Sequence, residues 1–496
     1  MFLFRGTGVL IVGFWLVMMG LLVLRNSVHK GAYSSANTDV VVQNKTGFRA
    51  PEQEWMEIFL HDRKIGYSHS RIQPLESGYV VHETLLLRLN LLGRPSLIRS
   101  ETRALLDHAF HLKNFNFSMQ SGATSFGLRG EVKDHWMIIK RKGSPERKIR
   151  LEEPLYIGSS LNPLFKNEAL AVGKSFRISF FDPSTLSRKR MMIRVTGRET
   201  IRIYGISYRT YRLETDLLGQ HICFWVDEEG DLLKESGLMG MCLVRSNPSR
   251  AAKNISQSGG EEFYELASVK ADRRLPRPRA LRYLKVQLPG IEKTPFDVSA
   301  LQGGRQQYRQ GTLEITGETT PPVGSYSLFA EPRSAGMKIY LQPEFNIEVD
   351  DPEIRRRARK IAGGEQDPVR VARRLLAWVY VKIEKRPVMA VPSAREVLKT
   401  RVGDCNEHAV LLTALLRASG IPARLCAGLV YAKGKFYYHA WTECWLGQWI
   451  SMDATLNQIP ADATHIVLAR GSLKNQTAII ALMGKLKIKV LDYKYD

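Results

Sequence analysis

The sequence predicts an α+β domain at its C-terminal end. A large antiparallel β-rich domain precedes it, and an N-terminal transmembrane helix stands ahead of both. Three observations predict this. An uncharged run fills Gly8–Leu24. Period-two alternation of apolar and polar residues, punctuated by Gly, Asp and Asn, runs through residues 52–250. From Asp350 the pattern changes to capped helical stripes followed by further strands.

The apolar run "GVLIVGFWLVMMGLLVL" lies between Arg5 and Arg25. Its length approaches the roughly 20 residues that span a bilayer. A secretory signal has a shorter apolar core and a clear small-x-small cleavage site, and none that clean follows. Residues 7–25 are therefore read as an anchor or signal segment, with an uncleaved anchor favoured. Long domains translocate largely regardless of flanking charge, so the bulk of the chain is expected outside the cytoplasm, in the periplasm of a bacterial cell. Residues 26–51 are small and polar and read as a linker.

Residues 52–250 read as strand after strand. In "MMIRVTGRETIRIYGISYRTYRLET", Ile201 and Ile203 alternate with Arg202, and "ICFWVDEEGDLLKES" turns at Asp227–Gly230. Such a pattern predicts an antiparallel sheet, curved or partly closed. Its histidines (His61, His69, His82, His108, His111, His135, His221) are scattered singly and form no visible constellation. Residues 251–349 read as a bridging segment or small β-region.

Residues 350–496 form the last domain. "DDPEIRRRARKIAG" and "DPVRVARRLLAWVYVKIEK" both open with an Asp cap and Pro at the first helical position. "SAREVLKT" carries a capping box, Ser393 with Glu396. The next helix, from Cys405 to Ser419, stops at Gly420 with Pro422 beyond. Asp404 is its expected cap. Cys405 would then sit in the first turn, where free N–H groups and the helix dipole favour a thiolate.

A nucleophile also needs a base. In "KFYYHAWTECWL" alternation places Tyr437, His439, Trp441, Glu443 and Trp445 on one face. A two-residue turn after this strand would put His439 and Asp453 on opposite faces. A three-residue turn, Leu446–Gly447–Gln448, sets Trp441 opposite Asp453 and makes His439 its diagonal same-face neighbour. Glycine supplies the left-handed conformation that such turns need, so the longer turn is expected. An Asp fixing one imidazole nitrogen leaves the other for the thiol. Cys426 and Cys444 read as core residues, and His408 as structural.

These residues carry a resemblance. The stretch from "GDCNEHA" through "LLRASGIPAR" and "YHAW" to "WISMDAT" resembles the core of the transglutaminase-like superfamily, a papain-like cysteine fold, over roughly Asp350–Val467. The resemblance implies Cys405 as nucleophile, His439 as general base and acid, and Asp453 as the orienting carboxylate, with no cofactor and no metal. It implies acyl transfer at amide or peptide bonds, hydrolytic (peptidase or amidase) rather than cross-linking. The oxyanion would meet the Cys405 N–H and a second donor, sought in residues 387–392. The alternative is a non-catalytic module of the same fold that binds peptide or cell-wall polymer.

Composition bounds the partners. With 72 Lys+Arg against 49 Asp+Glu, the formal charge is +23, which favours an anionic envelope surface. No zinc-finger spacing, RNA-binding signature or phosphate loop is present, so nucleic acid is disfavoured. Five cysteines without regular spacing make a poor disulfide framework, and at least one free thiol is expected.

Overall fold

The computed structural model describes residues 52–495 except for the segments 92–93, 123, 159–160, 168, 184–186, 218–219, 238–239, 256–267, 323–334, 387–392 and 472–476. The expected anchor at residues 7–25 and linker at 26–51 lie outside the described residues. Among those described, no helix is long and apolar enough to cross a membrane. Among the described residues the chain divides into two compact units, one holding residues 52–141 and 146–255 and the other residues 142–145 with those from 268 onward.

The N-terminal unit is a single sheet of fifteen strands. Chain neighbours are sheet neighbours with one break, between Arg147–Arg150 and Tyr156–Ile157, which are the two edge strands, and the first strand, Glu52–Leu60, pairs with the last, Met241–Ser246. All pairs are antiparallel apart from the short Tyr156–Ile157 strand on Phe180–Phe181. Alternation decides the buried face. In Leu112–Ser121, Phe115, Phe117 and Met119 are buried while Asn114, Asn116, Ser118 and Gln120 are exposed. Phe115 meets Phe181 at 5.3 Å between ring centroids, and Phe165 meets Phe224 at 6.1 Å. Each such ring contributes about 1.5–3 kcal/mol by leaving water.

Four helices open the core of the C-terminal unit: α1 (Pro352–Ala362), α2 (Pro368–Lys382), α3 (Ala394–Thr400) and α4 (Cys405–Ala418). Asp351, Asp367 and Ser393 cap the first three by accepting from backbone N–H groups of the first turn, and Gly363 closes α1 in a left-handed conformation. Every residue of α4 from Cys405 to Arg417 is buried, the polar Asn406, Glu407, His408, Thr413 and Arg417 included. It packs on the strand β2 of a sheet formed by β1 (Ala423–Ala432), β2 (Lys435–Trp445), β3 (Trp449–Met452) and β4 (Ile466–Arg470), ordered β3-β2-β1-β4. Thr442 of β2 donates to the Ala409 carbonyl of α4 at 3.1 Å and meets Thr413 at 3.1 Å.

Two local features set the register around β1 and β2. Trp445 pairs with Trp449, so the β2–β3 turn holds three residues, Leu446–Gly447–Gln448, with Gly447 at φ +89°. On the other side, β1 bulges between Ala427 and Gly428 where it meets β4. Gly428 is required there, because a Cβ would fall 1.8 Å from the Ile466 carbonyl oxygen.

Residues 268–316, left as a bridge or small β-region by the sequence, contribute strands to this unit. Ser268–Lys270 adds to the edge of β2. Leu281–Gln287, Gln306–Arg309 and Thr312–Thr316 form a second sheet with Lys489–Tyr495. Arg305 and Gln306 from that sheet reach across to β4 and the loop before it. Gln306 Nε2 donates to the Val467 carbonyl at 3.0 Å, and Arg305 donates to the carbonyls of Ala461, Asp462 and His465 at 2.6, 3.0 and 2.7 Å.

Candidate active site

The site begins at the N-terminus of α4. Asp404 is the cap: its Oδ1 accepts from Asn406 N at 2.9 Å, while Glu407 Oε2 accepts from Asp404 N at 3.0 Å. This reciprocal box fixes Cys405 as the first helical residue. All five cysteines are free.

The expected effect of the helix entrance on the thiol is corrected by the structure. Cys405 is fully buried, and burial pushes its thiol well above the usual range, with the neighbouring Asp404 carboxyl adding to the effect. The Asp404 Oδ1 lies 3.8 Å from the sulfur. A hydrogen bond from the Ala440 backbone N–H acts in the opposite sense but does not prevail. Desolvation outweighs the dipole here because the charge would have no solvent to share. The Cys405 thiol rests neutral.

His439 is the residue before Ala440 on β2. Its Nε2 lies 2.7 Å from Asp453 Oδ2, with both side chains fully buried. Asp453 follows β3 directly, and the three-residue turn delivers it to the His439 face as the sequence reading requires. Its Oδ1 accepts from the N–H groups of Thr455 and Leu456 at 2.7 and 3.1 Å. Burial opposes its charge, but His439 and then His465 hold the carboxyl well below the usual carboxylate range. Burial lowers the His439 pKa despite Asp453, so the ring rests neutral. His439 Nδ1 is buried and has no hydrogen-bond partner among the described residues, the Cys405 sulfur included. The structure thus joins His439 to Asp453 and brings the thiol to the next residue along β2, without a thiol–imidazole hydrogen bond.

Other expected residues find plain roles. His408 lies one turn into α4 with Nδ1 on the Asp404 carbonyl, and burial lowers its pKa to about 4. Trp441 is buried beside His439, with centroids 6.1 Å apart. Trp445 and Trp449 meet edge-on, and Arg424 sits 3.9 Å over the Trp449 ring. Cys426 and Cys444 are core residues. The segment 387–392, where a second oxyanion donor was sought, lies outside the described residues.

Sequence reasoning missed His465. It stands just before β4, and its Nε2 lies 3.0 Å from the same Asp453 Oδ2. Asp462, Arg279 and Arg305 surround it. The strand "HIVLARG" is visible in the sequence, but nothing in the local pattern says that its leading histidine folds back on Asp453.

Two groups among the described residues bring metal-ligand atoms within 4.8 Å of one another: His439, Asp453 and His465, and Glu214, His221 and Cys223. In the first, both imidazole–carboxylate contacts are ordinary hydrogen-bond lengths. In the second, His221 is the single histidine, and the register sets Glu214 opposite Cys223. There Arg212 already serves as counter-ion, 2.8 Å from Glu214 and 3.7 Å from the sulfur.

Residues 355–454 match the transglutaminase-like superfamily. The C-terminal part of the chain carries a domain of that superfamily. An uncharacterized protein of Mycobacterium tuberculosis is 30% identical over 192 residues, 32% of this chain and 61% of that protein. The chain therefore spans 61% of the length of the curated relatives it matches. Among solved structures, a candidate cysteine protease from Cytophaga hutchinsonii is similar at 19% identity and a TM-score of 0.27, covering 44% of this chain and 86% of that one. The periplasmic domain of TgpA from Pseudomonas aeruginosa is similar at 19% identity and a TM-score of 0.23, over 38% of this chain and 83% of its own.

Proposed function

We propose that the protein is a membrane-anchored cysteine acyl-transfer enzyme of transglutaminase-like type, its bulk extracytoplasmic, acting on amide or peptide bonds through Cys405, His439 and Asp453. The single observation that carries this reading is the His439–Asp453 pair. A buried carboxylate takes Nε2 and leaves Nδ1 unengaged, on a strand whose next residue hydrogen-bonds the Cys405 sulfur.

In this mechanism, His439 Nδ1 removes the proton from Cys405 once substrate has brought sulfur and ring together. The thiolate attacks the amide carbonyl carbon, and the carbonyl π pair moves onto oxygen. The Cys405 N–H, at a helix start with no intrahelical acceptor, donates to that oxyanion. Collapse expels the amine, which takes the proton back from His439, and leaves a thioester on Cys405. Water, deprotonated by Nδ1, attacks the thioester. The acid departs and the thiol is restored. Asp453 stays ionised throughout and stabilises the imidazolium. A neutral resting thiol makes proton transfer part of the reaction rather than a precondition. Hydrolysis is preferred over cross-linking, with protein, peptide or cell-wall polymer as the substrate class.

A second reading has an observation of its own: complete burial of Cys405 favours a non-catalytic module that binds peptide or wall polymer. Iodoacetamide at neutral pH separates the two. Alkylation of Cys405 that is lost in His439→Ala supports catalysis, and an inert Cys405 in folded protein defeats it. Weighing the Cys405 adduct formed in a cell-envelope extract would then name the acyl group.

A further inference from the structure

We infer that His465 is a positioning residue for Asp453, holding the same carboxylate oxygen as His439 and setting how strongly it pulls on the imidazole proton. This rests on the acyl-transfer reading and deepens it. It adds a fourth side chain to the site and assigns it the control of the base.

The geometry is that of a fully occupied acceptor. A carboxylate offers about four lone-pair positions. Asp453 Oδ1 takes two backbone N–H groups, Thr455 at 2.7 Å and Leu456 at 3.1 Å, and Oδ2 takes His439 at 2.7 Å and His465 at 3.0 Å. Removing His465 would free one position and leave Oδ2 held by His439 alone. The carboxylate could then rotate, and His439 with it.

The second nitrogen of His465 gives the ring its charge. Its Nδ1 lies 3.4 Å from Asp462 Oδ1 and 3.3 Å from the Asp462 carbonyl oxygen. Both ring nitrogens therefore face acceptors only, which requires a proton on each. Burial disfavours that cation, but the Asp462 charge and the bonds to both aspartates outweigh burial and raise its pKa. Asp462 is itself held by Arg279, Nη1 to Oδ2 at 2.6 Å, and by Thr464. The remaining groups around the ring are Trp441, edge-on at 5.1 Å, and Arg305, whose guanidinium takes the His465 carbonyl.

The row then reads His439 neutral, Asp453 negative, His465 positive, Asp462 negative and, at its exposed end, Arg279 positive, with no net charge. A cation behind Asp453 weakens its hold on a proton at His439. The positive His465 lowers the basicity of His439, which suits a group that must give the proton back to the leaving amine.

The test uses the full chain. Cys405 alkylation by iodoacetamide is followed by mass against pH in wild type, His465→Gln and His465→Leu, with folding checked by near-ultraviolet circular dichroism. Gln keeps a donor for Asp453 without charge, and Leu keeps neither. The expected result for His465→Gln is a plateau rate within about threefold of wild type and an inflection raised by about one pH unit. For His465→Leu a plateau at least tenfold lower is expected. Native-like variants that both keep the wild-type profile overturn the inference. Nitrogen-15 spectra of the wild-type rings provide a readout independent of catalysis and of the variants. Two protonated nitrogens on His465 at neutral pH are expected, and a neutral ring there overturns the inference. An unreactive wild-type Cys405 together with a doubly protonated His465 would instead overturn the enzyme reading.

Discussion

Trp445 and Trp449 face each other as the last pair of the β2–β3 hairpin, their rings 5.7 Å apart and edge-on. Because pairing runs back residue for residue from there, through Glu443 and Ser451, this contact fixes the register that brings Asp453 to His439. The turn between them bends through Gly447 at φ +89°, a conformation that costs a residue with a Cβ about 1–2 kcal/mol. Gly447→Ala should lose that much stability in urea denaturation. An unchanged midpoint would mean that the tryptophan pair alone enforces the turn.

Gly428 makes the corresponding demand on the other side of β2. It lies opposite His439 in the β1–β2 ladder and touches the Ile466 carbonyl, next to His465. Gly428→Ala must push β4 outward, at a cost of about 1–3 kcal/mol from overpacking. His465 should leave Asp453 with it. A melt shows the first effect and the His465 ring signals the second. Native stability with native ring shifts would disprove the clash.

Asp453→Asn tests the base directly. The amide keeps the shape but cannot accept on two sides with the same strength, and it favours the wrong imidazole tautomer. Cys405 alkylation at neutral pH should fall by about 10²–10⁴-fold. The variant should also lose a stability term that depends on pH. Asp453 is held below its unfolded value, so its contribution is present above roughly pH 4 and disappears as pH falls through the folded value. Wild type and variant should therefore converge in acid. Equal alkylation rates in the two proteins would remove Asp453 from the mechanism.

Much of this site was legible in the sequence because its determinants are local. The Asp404–Glu407 box is three residues long, the β2 alternation names the His439 face, and a glycine in the turn selects the three-residue loop. What was not legible depends on contacts between separate elements, that of His465 with Asp453 among them, or on the solvent. The cap geometry correctly places Cys405 at the helix start, but no local pattern reports that this helix end is buried, and burial reverses the expected sign of the thiol shift. Arg279 and Arg305 sit in a stretch with no strong periodicity. Their partners, Asp462 and the loop carbonyls, are more than 150 residues away. The β-region alternation was plain, whereas the pairing of its first strand with its last is a property of the whole sheet.

Asp404→Asn should make Cys405 more reactive. Burial first, and then the nearby Glu407, raise the Asp404 carboxyl well above the usual carboxylate range. The Asp404 carboxyl in turn pushes the thiol upward. Asn caps a helix about as well as Asp, so α4 should keep its start. A carboxyl with a raised folded pKa binds its proton more tightly in the native state. Its stabilising effect is full below the unfolded value near 4 and declines as pH rises through the folded value. The variant should therefore gain stability relative to wild type above roughly pH 4, and Cys405 alkylation at pH 7 should rise several-fold. A slower reaction in folded Asp404→Asn would show that the carboxyl assists the thiol rather than suppressing it.

Arg305 is the remaining test, because it holds the loop that presents His465. Its guanidinium is almost fully buried and donates to three carbonyls, those of Ala461, Asp462 and His465, with Glu318 at 3.4 Å as its carboxylate partner. Arg305→Met removes every one of these bonds while roughly keeping the volume, and leaves three buried carbonyls and a carboxylate without their donor. The expected cost is about 3–5 kcal/mol in chemical denaturation. Arg305→Lys should recover only part of it, since one ammonium cannot span three carbonyls as the planar fork does. The loop should also loosen locally. Amide exchange at Asp462–His465 should quicken in both variants, more in Met than in Lys, while exchange in α1 stays as in wild type. Uniform exchange across the unit would mean that Arg305 supports the fold at large rather than the His465 loop.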